Sequence, residues 1–226
     1  MESIKIGVHP LWHLYGWTFH SDTLISAWIV SAVLIALAVT VRIALKIRPG
    51  LLQSTVELGV ENLNGILTDR IGEKGKKYFS FVATLFLFIL TSNWFGVLPI
   101  DIKPPTADLN TTAGLALLTI FLVQAFGMIE KGPIRYFKRF FEPNPVFFPL
   151  NLIEELAKPL SLALRLFGNI FGKETIIVIL SGLVALPLLY PIPILALSLL
   201  IGAIQAYIFM LLAIFYISMA LAEGGH

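Results

Sequence analysis

With 226 residues, 57% of them hydrophobic and only 13% charged, at a mean hydropathy of +0.86, the chain is too apolar for a soluble domain and fits a polytopic membrane protein. A net charge of +2 is too small to point to nucleic acid. The lack of cysteine excludes a disulfide framework, a thiolate metal site and a thiol nucleophile.

Residues 1–23 are polar and aromatic, with Trp12, Tyr15, Trp17, His9, His13 and His20. They suit an interfacial segment with an aromatic belt. Asp22 and the lack of a small-residue cleavage site argue against a cleavable leader. Residues 24–45 are long enough to cross a bilayer of roughly 30 Å. They end at Arg42, Lys46, Arg48 and Pro49-Gly50. Over 51–71, Leu52, Val56, Val60, Leu63, Leu67 and Ile71 recur every three or four residues, while Glu57, Glu61, Asn64 and Thr68 hold another face. That pattern predicts an amphipathic helix lying in the interface.

Residues 78–98 form a second span, with Asn93 near its far end. A Pro-rich turn follows, in which Asn110 or Thr111 is placed to cap the next helix. Residues 113–130 form the third span. The basic, Pro-rich loop after it holds Lys131, Arg135, Lys138 and Arg139. Two long apolar stretches, 150–185 and 194–222, are joined by a turn with Pro187, Pro191 and Pro193. Both exceed the ~20 residues needed to cross, which implies strong tilt. The expected fold is an all-α membrane protein in one integral membrane domain. It has five transmembrane helices and one in-plane amphipathic helix, the last two spans forming a long tilted hairpin.

Orientation follows from the sixteen Lys and Arg. Eleven fall in loops on one side, Lys5 and Lys103 on the other, and Lys158, Arg165 and Lys173 inside the stretch 150–185. The positive-inside rule places the eleven in the cytoplasm, with the N-terminus outside and the C-terminus inside.

The segment LSLALRLFGNIFGKE, 160–174, carries polar groups where lipid-facing helices carry none. At 100° per residue, Glu154, Lys158, Ser161, Arg165 and Asn169 form one stripe. Arg165 cannot neutralise itself, since a guanidinium keeps its proton above pH ~12. A fixed charge at membrane depth is expensive and by default functional. Glu174 lies nine residues further, half a turn away in projection and about 13 Å along the axis, so an Arg165–Glu174 ion pair is not expected. Two separate polar environments at different depths fit this geometry. If the last two helices pair antiparallel, Arg165 faces Gln205 and Glu174 lies beside Ser198. An amide there can hold a guanidinium without cancelling its charge.

Plainer readings remain open at each position. Arg165 can snorkel to the interface, Gln205 can be helix–helix glue, and Glu154 with Lys158 makes an ordinary i,i+4 pair. Lys173 with Glu174 can be a local interfacial pair, and Asp108 and Asn110 suit capping and turn roles.

The motifs PTADLN (105–110), KPLSLALRLFGNIFGKE (158–174) and IQAYIFMLLAIFYISMA (204–220) resemble the a subunit of F-type ATP synthase, over most of the chain. The resemblance implies an ion-translocating stator subunit, with partners in the c-subunit ring, the peripheral-stalk b subunits and the rest of the complex. It assigns Arg165 as the stator arginine facing the ring, and Gln205 as its partner. Asn169 and Ser161 fall on the outlet side with Glu154 at the mouth, and Glu174 falls in the outer half-channel. Ser198 stands where some members carry His, and Ser cannot titrate. Lys173, beside Glu174, either tunes that carboxylate by charge or blocks ion escape. The family implies a bacterial cell membrane, rather than a thylakoid one. No cofactor or metal is expected. The absence of a Gly-rich phosphate loop implies no ATP chemistry in this chain, and the lack of an extra oxygen-ligand cluster favours H⁺ over Na⁺. A secondary transporter using Arg165 for an anionic substrate, or a lipid-phosphate enzyme, are the alternatives. The first lacks visible inverted repeats, the second a reactive constellation.

Overall fold

The computed structural model describes residues 11–14, 17–45, 50–97, 103–141, 144–183 and 191–222. Two short strands come first, β1 (Leu11–Leu14) and β2 (Trp17–His20), paired antiparallel with Trp12 opposite Phe19 and Leu14 opposite Trp17. The aromatic segment is thus a hairpin, and helix α1 (Ser21–Ala44) starts directly from it. After α1 come α2 (Leu51–Ile71), a 3₁₀ stretch (Glu73–Tyr78) running into α3 (Phe79–Phe95), and α4 (Leu109–Lys131). The short α5 (Pro133–Lys138) precedes the two long helices, α6 (Phe148–Leu183) and α7 (Pro191–Leu221). The chain is an all-α membrane protein with this small hairpin at its start. Among the described residues, four helical stretches are long and apolar enough to cross a membrane: Ser21–Ile43, Glu73–Phe95, Leu109–Lys131 and Leu195–Leu221.

Local chemistry explains most boundaries. The cap of α4 is Asp108, whose carboxylate accepts from the Asn110 backbone N–H at 3.0 Å, so neither Asn110 nor Thr111 is the cap. Pro191 and Pro193 sit inside the first turn of α7. The missing N–H groups are harmless there, because first-turn amides have no partner within the helix. Gly72 and Gly132, at φ 81° and 80°, end α2 and α4 in a conformation that side chains resist. The basic stop at Lys46 and Arg48, the turn at Pro187, and His9 and His226 lie outside the described residues.

α4 and α7 form the centre of the bundle. α6 packs chiefly on α4, α7 chiefly on α3 and α4, and α6 touches α7 over a smaller area. One cluster joins Leu85 and Ile89 of α3, Ile120 of α4, Leu162 and Leu166 of α6, and Phe209 of α7. Ala116, Ala163, Ala206 and Ala213 lie in the same cluster, and small side chains let helix backbones approach where lipid supplies no hydrophobic drive. A second cluster joins Leu67 of α2, Val82, Val123, Tyr136, Ile214 and Ile217. α2 follows its predicted limits, and only its later half, Leu63 and Leu67, is buried.

α1 stands apart. Trp28 and Ile35 are exposed, while Thr23, Ser26 and Val30 bury against α3 and the 3₁₀ turn Pro105–Ala107. His20 and Asp108 meet at 2.9 Å, tying the start of α1 to the start of α4.

A Cβ at Gly127 of α4 would overlap the Tyr136 ring, whereas one at Gly59 of α2 meets nothing within 4 Å. Overpacking of this kind costs about 1–3 kcal/mol. Gly127→Ala should therefore lower the thermal unfolding midpoint in detergent by several degrees, and Gly59→Ala should not lower it. Equal midpoints would contradict the packing.

Candidate functional site

α6 has 36 residues, and Arg165 sits at its midpoint, about 26 Å of helix from either end. Behind it, Leu162, Ala163, Leu166 and Ile170 are buried. Ser161, Leu164, Arg165 and Gly168 are exposed on the opposite side. The apolar face thus fixes the helix rotation, and that rotation turns the guanidinium outward. Among the described residues, no hydrogen bond or ion pair holds it.

Other predicted residues divide by surroundings. Gln205 is 7% exposed and Asn169 half-buried; Gln205 Nε2 and Asn169 Nδ2 make no hydrogen bond among the described residues. Leaving such a donor buried and unpaired costs about 1–3 kcal/mol, and the buried Ser92 hydroxyl of α3 is also without a partner among the described residues. Gln205 does not bridge to Arg165 by a hydrogen bond. Ser198 is buried, seven residues before Gln205 on the same face of α7. Lys173 and Glu174 fall on α6, and their side chains lie outside the described residues.

Nearer the basic-loop end, α6 and α7 enclose an open groove of about 350 Å³. Glu154, Lys158 and Ser161 line it from α6, and Phe215, Tyr216 and Met219 from α7. Lys158 Nζ lies 5.7 Å from the centre of the Tyr216 ring. Its carboxylate partner is Glu155, at 2.8 Å, and not Glu154 as the i,i+4 spacing suggested. Glu155 wins because Gln124 of α4 donates to its other oxygen and holds it in place, and the Tyr136 hydroxyl donates to Gln124 in turn. Glu154 stays exposed. Pro159 lies between these groups and Arg165; its ring removes the bond to the Glu155 carbonyl, and α6 continues through it.

At the other end, Asn93 is fully buried. Its amide donates to the Gly202 carbonyl at 3.1 Å and accepts from the Thr106 hydroxyl at 3.2 Å. Trp94 donates to the Leu199 carbonyl at 3.1 Å. These bonds join α3, the Pro105–Ala107 turn and the segment of α7 between Ser198 and Gln205. Gly202 leaves room there, since a Cβ would stand 3.1 Å from the Asn93 side chain, closer than ordinary van der Waals contact. Sequence reasoning left Asn93 undecided and missed Tyr216. A lone amide in an apolar span was the signal for the first. For the second it was the eleven-residue step from Gln205, which returns to nearly the same helix face.

Since the chain holds no cysteine, single replacements report directly. Glu154→Cys and Ser161→Cys should react with a membrane-impermeant maleimide from the basic-loop side, and Leu162→Cys should stay unlabelled. Equal labelling of all three would contradict the groove.

The sequence matches the family described as ATP synthase A chain over residues 24–218. It is 45% identical over 197 residues to an ATP synthase subunit a of Moorella thermoacetica, spanning 87% of this chain and 89% of the relative. It is 43% identical over 201 residues to ATP synthase subunit a 2 of Syntrophotalea carbinolica, spanning 87% and 84%.

Proposed function

The chain belongs to the ATP synthase A chain family, and from that premise we propose that Arg165 is the fixed charge coupling ion flow to rotation of a c-subunit ring. As a multi-pass membrane component of the ATP synthase complex, the chain acts as the proton-translocating stator subunit of the FO sector. We further assign it no ATP chemistry of its own, a bacterial cell membrane, an outer N-terminus and a cytoplasmic C-terminus. Its neighbours are the c ring and the peripheral-stalk b subunits.

The mechanism follows from charge. A proton enters from outside past Glu174, with Ser198 and Gln205 alongside, and neutralises a carboxylate on a c subunit. Neutral, that carboxylate can turn through lipid at tolerable cost. After nearly a full turn it meets Arg165, whose positive charge favours its ionised form. The proton leaves past Asn169 and Ser161, through the groove with Glu154 at its mouth. Arg165 repels cations, so the two half-paths stay separate and passage requires rotation. Each charge moved delivers about 2.3 kcal/mol per 100 mV, so several are needed per ATP.

The observation that carries this reading is the outward-facing guanidinium at the middle of α6, without a carboxylate to cancel it among the described residues. Unpaired amide donors on Asn169 and Gln205 support it, since a proton path needs donors free to bind water.

Arg165→Ala should abolish gradient-driven ATP synthesis in the reconstituted complex, because nothing then discharges the arriving carboxylate. Arg165→Lys should fail too, since an ammonium lacks the reach and fork of guanidinium. Wild-type rates in either would refute the assignment. Lys173→Gly should alter the pH dependence of synthesis if Lys173 acts on Glu174 by charge; an unchanged profile would remove that role.

A further inference from the structure

We propose that a second groove, walled by α4 and α6 and ended by α5, binds an anionic phospholipid, with an acyl chain along the groove and the phosphate against Arg135 and Lys138. The site is independent of the role of Arg165. The groove has a volume of about 340 Å³. Leu117, Phe121 and Met128 line it from α4, Phe137 from α5, and Leu152 and Leu156 from α6. Phe121 and Leu156 are each 65% exposed, so the groove opens to the outside of the bundle. Its polar members, Gln124 and Glu155, hydrogen-bond to each other, and Tyr136 and Lys158 bind them in turn. The wall that remains is hydrocarbon.

The depth of the groove follows from α4. That span ends at Lys131, and α5 begins two residues later, at Pro133. Gly127 leaves room for the Tyr136 ring, which lays α5 alongside the last turns of α4. α5 therefore lies at the headgroup end of the span. At 1.5 Å per residue, Met128 and Leu117 are about 5 and about 21 Å from Lys131 along the axis. One leaflet of a hydrocarbon core of roughly 30 Å is about 15 Å deep. The groove thus covers the depth of the acyl chains in the leaflet next to α5.

α5 supplies the charge. Arg135 and Lys138 are three residues apart and share a face, and both are exposed without an ion pair or hydrogen bond among the described residues. Lys138 directly follows Phe137, which lines the groove. The whole helix is only about 9 Å long, so both cations stand within a side chain's length of the groove's end. Across residues 130–149, four cations outnumber two carboxylates, and one of the two, Glu130, pairs with Lys77. That excess favours a headgroup of net negative charge over a zwitterion, whose ammonium it repels. A transmembrane helix of another subunit would cover the apolar wall and leave these cations unmatched.

Bromines on an acyl chain quench a nearby fluorophore, which gives a local test. Since the chain holds no cysteine, Phe121→Cys places a bimane label in the groove wall, and Ile35→Cys places one on the exposed face of α1. The ATP synthase complex, otherwise free of cysteine, is put in phosphatidylcholine liposomes with rising fractions of a brominated lipid. At Phe121→Cys, brominated phosphatidylglycerol should reach half-maximal quenching at about one tenth of the mole fraction that brominated phosphatidylcholine needs. At Ile35→Cys the two lipids should agree. Adding Arg135→Gln and Lys138→Gln should bring them within about twofold of each other at Phe121→Cys, whereas Arg135→Lys with Lys138→Arg should keep the preference. Equal fractions at Phe121→Cys would overturn the proposal. So would a preference that outlives the two Gln substitutions, is lost when the two cations are exchanged, or appears equally at Ile35→Cys. Absence of quenching by either lipid at Phe121→Cys, the result expected if a helix of another subunit fills the groove, would overturn it too.

Discussion

A guanidinium cannot shed its proton, and that constraint organises the bundle. Arg165 lies midway along the 36 residues of α6 and keeps its charge at any physiological pH. Burying it among apolar helices would require a carboxylate partner, and a partner would cancel the charge. The fold instead turns it outward and packs the other side of α6 with Leu162, Ala163, Leu166 and Ile170. The position of the cation is therefore set by hydrophobic packing on α4 and α7, with no polar partner among the described residues.

Polar ties fix the elements around it at both ends. On one side, Asn93, Thr106 and Trp94 bind carbonyls or side chains across α3, the 3₁₀ turn and α7. On the other, the Tyr136–Gln124–Glu155–Lys158 chain links α5, α4 and α6. Buried polar groups of this kind are stabilising only when satisfied, and they define one arrangement among many that apolar packing alone would accept. Between the two ties lie the unsatisfied donors of Asn169 and Gln205. The contrast separates groups that hold the bundle from buried groups with no partner among the described residues, a set that also includes the Ser92 hydroxyl.

The parts legible in the sequence were those fixed by local period. α2 follows the limits that its apolar spacing predicted, and the stripe from Glu154 to Asn169 follows from 100° per residue. What the sequence hid was set by distant partners. Lys158 has carboxylates three and four residues back, both within reach, and Gln124 from another helix decides between them. Asn93 finds its acceptor 109 residues away. The N-terminal hairpin was missed because Trp and Phe suit a membrane-interface belt as well as a strand. Asp108 outcompeted Asn110 for the cap because α4 begins four residues earlier than its apolar run suggested.

The central claim is that the outward face of α6 around Arg165 meets a moving acidic partner. The direct measurement is disulfide cross-linking within the assembled complex. Single cysteines at Leu164, Gly168 or, as buried controls, Leu162 and Leu166 would be paired with a cysteine beside the acidic residue of the c subunit. The account predicts cross-links from the two exposed positions and none from the buried pair. Cross-links from Leu162 and Leu166 alone, or from none of the four, would contradict it.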